Sequence, residues 1–245
     1  MSKIVEVSVP QSLEDITVEQ FRKFNRLDFD DEDSLQFRTL EIFCGVPYNV
    51  AVKMPQKDIE AIMAHLSKVL SEEPKDLQVF EHNGKKFGRI PNLEEITGGE
   101  FIDLDNYSKP TADGKLNLEE AHKMLAVMYR PVTATANGMY AIEDYEGSDR
   151  YSEVMRNVSL SAYKSAIGFF LRLKLDLLTA SRMYLQAHQE ELNAVAGGRN
   201  SVQSGVGTVQ SITSLTEMLQ GSLPSQVNGY YPFSRLSNLK RKRKR

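Results

Sequence analysis

The sequence predicts an α+β protein, predominantly α-helical: helices around a small sheet containing a β-hairpin, followed by a flexible basic tail. Three observations lead there. Apolar residues recur at intervals of three and four through most of the first 195 positions. Asn83-Gly84, the pair best suited to the two positive-φ positions of a type I′ turn, stands between two strand-like runs. Beyond Ala196, glycine, serine and cations displace the apolar periodicity. The chain of 245 residues is 41% hydrophobic and 26% charged, which suits a globular body rather than a fibrous one.

Taken in order, Lys3 to Val9 alternates, with Val5, Val7 and Val9 on one face and Pro10 closing it, and reads as a short edge strand. Thr17 with Gln20 three residues later forms a capping box, after which Val18, Phe21 and Phe24 share a helical face. A second helix begins at Asp33, presents Phe37, Leu40 and Cys44, and closes at Gly45 before Pro47. The clearest helix runs from Gln56 to Ser71, with Ile59, Ile62, Met63, Leu66, Val69 and Leu70 on its apolar side. Leu77 to His82 and Lys85 to Ile90 then form the hairpin. Asn92 with Glu95 starts a short helix. Asn117 with Glu120 starts a longer one that carries Leu118, Ala121, Leu125, Met128 and Tyr129 and is stopped by Pro131. Met139 to Tyr145 reads as a strand, which gives about seven helices in all.

The last element, from about Ser161 to Val195, is the longest. Ala166, Phe170, Leu173, Leu177, Ala180, Tyr184 and Ala187 follow a 4-3-4-3-4-3 spacing, the seam of a helix packed along a partner helix. Ile167, Leu171 and Leu178 add a second stripe. Leu171, Leu173, Leu175 and Leu177 also alternate with charged residues as a strand would, but the length and the lack of β-branching favour helix. Its own domain covers only part of this helix, so the exposed half around Tyr184 is a candidate surface for a partner or a second copy.

The net charge of -3 conceals two opposite segments. Eight cations and one acid, Glu217, follow Ala196, so the tail carries a net +7 and residues 1–195 a net -10. An acidic domain over 1–195 and a Gly/Ser-rich basic tail over 196–245 are therefore expected, with the boundary near Ala196-Gly197-Gly198. In the tail, Tyr230, Tyr231 and Phe233 flank Pro232 and read as anchors of a docking peptide. Val209, Ile212, Leu215 and Leu219 would share one face of a short helix that forms on docking. The run Lys240, Arg241, Lys242, Arg243, Lys244 and Arg245 is an electrostatic contact for nucleic acid or for an acidic protein.

Chemistry is scarcely signalled. Cys44 is the only cysteine, so no internal disulfide forms, and it is read as a small buried hydrophobe. His65, His82, His122 and His188 stand singly, none at the i, i+4 spacing of a helical zinc site, and His65 is read as structural. The acids Asp28, Asp30, Asp31, Glu32 and Asp33 lack the glycine and terminal glutamate of a calcium loop and are read as favouring the helix start beside them. Gly205-Val206-Gly207 has no third glycine at Gln210, and no phosphate cradle or nucleophile elbow occurs. The longest apolar run, Ala166 to Leu171, falls far short of the roughly 20 residues of a membrane span. The N-terminus has no secretory apolar stretch, so an intracellular setting is expected. No catalytic residue, cofactor or metal is expected.

The stretch from Asp15 to about Leu178 resembles a group of small tailed-bacteriophage proteins encoded among tail genes, some of them tail assembly chaperones. The residues that carry the likeness are Ile16–Phe21, Met54–Ile62, Phe87–Tyr107, Met124–Val132 and Ala166–Leu173. The resemblance implies a non-enzymatic protein, present in the host cytoplasm during assembly or kept in the virion, that binds a tape-measure protein or another phage structural protein. The six-cation end is not part of that group's pattern. Two rivals stay open: a nucleic-acid-associated packaging or virion-interior protein using that end, and an enzyme with a dispersed site.

Overall fold

The computed structural model describes residues 6–27, 31–91, 96–109, 111 and 117–187. The chain divides into two compact units, Met1–Ala166 and Ile167–Arg245, and the division falls inside the last described helix. The predicted boundary near Ala196 lies outside the described residues.

Eight α-helices and four strands are described: α1 Val18–Asn25, α2 Glu32–Cys44, α3 Tyr48–Ala51, α4 Gln56–Leu70, β1 Val79–His82, β2 Lys85–Arg89, α5 Gly98–Tyr107, α6 Ala121–Met128, β3 Tyr129–Ala136, β4 Met139–Ile142, α7 Asp149–Met155 and α8 Leu160–Ala187. The strands form one antiparallel sheet in the order β1-β2-β3-β4. The fold is thus mainly helical around a small sheet, as the periodicities predict.

Local signals account for several boundaries. The Thr17 hydroxyl accepts from the Gln20 amide at 3.1 Å, while the Gln20 side chain accepts from the Thr17 amide at 2.8 Å, so two otherwise orphaned donors are satisfied at the start of α1. Its predicted face is buried at Val18, Phe21 and Phe24. In α2 the buried apolar residues are Leu35, Leu40 and Phe43, with Cys44 half-buried, so the core face is one position from the expected Cys44. Phe43 meets Phe24 at 5.2 Å between ring centroids. Along α4 the buried set is Ile59, Met63, Leu66, Val69 and Leu70.

Two expectations need correction, and one turn goes beyond them. Residues 6–10 carry no regular secondary structure. Their alternation is one of exposure only; no ladder partner is described for 6–10, and the Pro10 carbonyl is instead 2.9 Å from His65 Nε2 on α4. The helix expected from Asn117 begins as a 3-10 turn over Leu118–Glu120 and ends at Met128. Tyr129 and Pro131 belong to β3. Proline is tolerated there because β3 pairs with β2 through Pro131 and with β4 from Val132, so the missing N–H falls where the strand changes partner. Finally, Asn137-Gly138 repeats the Asn83-Gly84 turn, with positive φ at both residues of each pair, and makes β3–β4 a second hairpin.

At the sheet centre Gly88 leaves room for the Tyr140 ring, whose atoms stand 2.6 Å from where a Cβ would lie. The Tyr140 hydroxyl donates to the Arg89 carbonyl at 2.8 Å, so the ring reaches from β4 across to β2. Phe80, Phe87 and Tyr129 pack on one another, with Phe80 5.6 Å from the Phe87 ring and 5.0 Å from the Tyr129 ring.

The first turns of α8 are buried at every residue from Leu160 to Ala166. A helix buried all round must satisfy its polar side chains internally. The Lys164 ammonium donates to the carbonyls of Leu70 at 2.6 Å and Glu72 at 3.1 Å, capping the C-terminus of α4 where the helix dipole favours a cation. The Ser165 hydroxyl accepts from the Leu77 amide at 2.8 Å, and the Tyr129 hydroxyl donates to the Leu77 carbonyl. The α4–β1 connection is therefore pinned by side chains of α8 and β3.

Two outcomes follow. Gly88→Ala forces the Tyr140 ring to move and lowers unfolding free energy by about 1–3 kcal/mol, measured by denaturant titration. Burial holds Lys164 down at about 8, against the pull of Glu72. Between that value and the ordinary lysine value of 10.5 the unfolded chain binds more protons than the folded one, so stability rises with pH from about 8. Cys44, pushed up by burial to about 11, acts in the opposite direction only above its ordinary value of 9.0. Denaturant midpoints from pH 8 to 9 therefore climb in the parent chain and lose that climb in Lys164→Met.

Candidate interaction surface

The predicted seam of α8 divides sharply along its length. Ala166, Ile167, Phe170 and Leu171 are buried. Leu175 and Leu178 are half-buried, and Ala180 is exposed. Further along, Met183 is 65% and Tyr184 62% exposed. Of the remaining seam residues, the side chains of Leu173, Leu177 and Ala187 lie outside the described ones. Lys174 extends back over the Phe170 ring at 4.9 Å, so its stem covers part of that ring while its charge remains outward. A helical surface with adjacent Met and Tyr has one adaptable and one amphipathic apolar group, both of which suit a partner-binding role.

Tyr184 thus stands where the seam spacing places it, on the exposed half of the helix. Met183 was not singled out by that spacing, because it falls one residue off the seam; its exposure makes it part of the same surface. Tyr230, Tyr231, Phe233, Lys240, Arg241, Lys242, Arg243, Lys244 and Arg245 lie outside the described residues, as do the segment Val209 to Leu219, the glycines Gly205 and Gly207, and His188. Comparable apolar exposures occur at Met139 on β4, 70% exposed, and at Ile102 on α5, 60% exposed, with Phe101 beside it at 39%.

The buried polar groups serve internal contacts. Glu100, 3% exposed, accepts from the Thr97 amide and hydroxyl, both at 2.7 Å, and from the Arg130 guanidinium of β3. Burial would raise this carboxyl, but the Thr97 donors and Arg130 outweigh it and hold it below the usual range. One carboxylate thereby closes the capping box of α5 and ties that helix to the sheet. Arg130 also lies 5.5 Å from the centre of the Tyr145 ring, and the Tyr145 hydroxyl donates to Asp103. On β2, Arg89 donates to Asp76 at 2.6 Å.

The candidate chemical groups are placed in ordinary structural roles. Asp31 caps α2, its carboxylate accepting from the Ser34 amide at 3.3 Å and the Ser34 hydroxyl at 2.5 Å. Asp28 and Asp30 lie outside the described residues. The raised Cys44 thiol stays protonated at neutral pH, which disfavours nucleophilic use. Among the described residues no group of three or more His, Cys, Asp or Glu side chains is arranged to hold a metal, and no helix is long and apolar enough to cross a membrane.

Removing one member of the buried Glu100–Arg130 pair leaves the other charge desolvated. Arg130→Met lowers unfolding free energy by about 3–5 kcal/mol, whereas Glu100→Gln with Arg130→Met loses much less than the sum of the single changes, a coupling that a double-mutant cycle measures. No family model, curated protein or solved structure matches this chain.

Proposed function

We propose that this chain is a non-enzymatic structural or assembly protein of a tailed bacteriophage, and that it works by binding another protein of the particle. The observation that carries the reading is the division of α8: one helix buried from Leu160 to Ala166 and presenting Met183 and Tyr184 at 65% and 62% exposure about five turns later. The likeness of Ile16–Phe21, Phe87–Tyr107 and Ala166–Leu173 to tail-gene proteins supplies the biological setting. A tape-measure protein or another phage structural protein is the partner that this likeness implies for such a surface. The finer choice between transient chaperone and permanent virion component is made by whether the chain leaves or stays with the finished particle.

A second reading rests on the six consecutive cations Lys240 to Arg245. Such a run binds phosphates through counterion release, so the affinity it gives falls steeply with salt and ignores sequence. The net -10 of residues 1–195 opposes broad nucleic-acid contact, which confines this reading to the tail.

The experiment is affinity capture from producing cells with three chains: the parent, the double variant Met183→Asp with Tyr184→Asp, and a chain ending at residue 195. Recovery of a phage structural protein that falls about tenfold or more in the double variant, with thermal unfolding unchanged, is the expected result. Equal recovery with parent and double variant overturns the α8 reading. Capture of DNA that is lost with residues 196–245 and with added salt favours the second reading instead.

A further inference from the structure

His122 stands in α6 at 5% exposure. Its Nε2 is 3.0 Å from Nη2 of Arg156, the residue that caps α7 just before α8 begins. A guanidinium has only donors, so Nε2 must accept and the ring proton must sit on Nδ1. That Nδ1 has no hydrogen-bond partner and is shut off from solvent. Arg156 is held on its other sides by carboxylates: its Nε donates to Glu153 at 2.9 and 3.0 Å, and Nη1 lies 3.6 Å from Glu19 of α1.

The backbone around Arg156 makes the seam that joins the start of the chain to the α7–α8 junction. The Glu19 amide donates to the Arg156 carbonyl at 2.9 Å, the Val18 amide to Val158 at 3.0 Å, and the Leu160 amide to Ile16 at 2.6 Å. Thr17 and Ser159 form an isolated antiparallel bridge within it. The side chain of Arg156 is thus the polar tie between α6 and the α7–α8 end of this seam, while Glu119, in the turn leading into α6, holds Arg22 and the C-capping Arg26 of α1.

We propose that the His122–Arg156 hydrogen bond is an acid-released latch: a second proton on the imidazole turns Nε2 from acceptor to donor, sets two cations face to face, and loosens the α7–α8 end of the seam from α6. The groups around the ring have been weighed on each side. Arg156 opposes a second proton, and Lys123 on α6 does so weakly; Glu120 in the preceding turn and Glu153 on α7 favour it. Lys123 is itself drawn toward Glu120 at 2.9 Å and lies 5.6 Å from the Tyr107 ring of α5, so it remains charged beside the ring. Desolvation is the largest influence and acts with Arg156, so the ring stays neutral at pH 7 and the latch stays shut. Glu19 and Glu119, which hold Arg22 and share in the same ion-pair chain, are kept below the usual carboxylate range by their arginines. They remain ionised in mild acid, which leaves His122, held below the ordinary imidazole value by burial, as the group that gains charge at this seam on acidification.

Release moves Arg156 onto Glu153 and Glu19, contacts it already has. It does not require global unfolding, because α4 and the sheet do not take part in the seam. The predicted device is therefore a local opening at the junction from which α8 departs.

The test follows amide exchange by NMR in the full chain at about pH 7 and pH 5, corrected for the intrinsic pH dependence of exchange. The latch predicts that protection at Val18, Glu19 and Leu160 falls about tenfold or more on acidification while α4 amides stay protected. His122→Gln keeps an acceptor toward Arg156 but cannot take a proton, so its protection at those three amides stays constant. Equal losses in parent and variant, or no loss in the parent, overturn the proposal. Should the variant not fold, the ring nitrogens of the parent decide: a neutral form protonated at Nδ1, and a second protonation coincident with the loss of protection, support the latch. A neutral form protonated at Nε2, or a titration that leaves the seam protected, overturns it.

Discussion

Burial of Leu160–Ala166 on every side of α8 is the constraint to which the surrounding structure answers. An ammonium and two serine hydroxyls sit in that buried turn, and each unpartnered one would cost more than most single apolar contacts return. Lys164 finds the last carbonyls of α4, and Ser165 finds the Leu77 amide. These contacts fix where α4 ends and where β1 begins. Tyr129, from β3, closes the same connection by donating to Leu77. The helix, the sheet and the connector are thereby set by a few polar groups that had to be satisfied once the helix was buried.

The same logic recurs at the buried Glu100 and Arg130 and at the half-buried Arg156. Glu100 serves the N-terminus of α5 and Arg130 of β3 together, and Arg156 serves α7, α1 and α6. Each is a point where elements distant in sequence meet through one ionised side chain. Such groups define position more than they add stability, because attraction between buried charges is largely offset by desolvation. Burial of apolar side chains such as Phe21, Phe24, Leu40, Leu66, Leu104 and Met124 is the larger stabilising contribution.

What could be read from the sequence was what local chemistry specifies. The Thr17–Gln20 capping box, the α4 stripe and the Asn83-Gly84 turn are each contained in a few consecutive residues, and each element formed as expected. Asn137-Gly138 held the same information as Asn83-Gly84, and Thr97 with Glu100 formed a box as clear as that of Thr17; both signals were present to be read. Tyr129 was placed in a helix because it continues the α6 apolar interval, whereas its φ and ψ of -119° and 123° put it at the start of a strand. No local pattern could show that Pro131 sits where β3 exchanges partners, or that Glu100 would meet Arg130 and His122 would meet Arg156. Those pairings depend on the assembled fold. The expected strand over Lys3 to Val9 is absent at residues 6–9, residues 3–5 lying outside the described ones, for the converse reason: alternation makes a strand only where another strand pairs with it.

For the proposed function, the seam spacing singles out Tyr184, and Met183 beside it became visible only through its exposure. The account stands on that stretch of helix serving as a docking surface. The most direct measurement is hydrogen exchange of the full chain, alone and mixed with the purified phage structural proteins that the proposed function names as partners. Slowed exchange concentrated in Thr179–Tyr184 upon mixing is the predicted result. Exchange there that is unaltered while other segments become protected would contradict it.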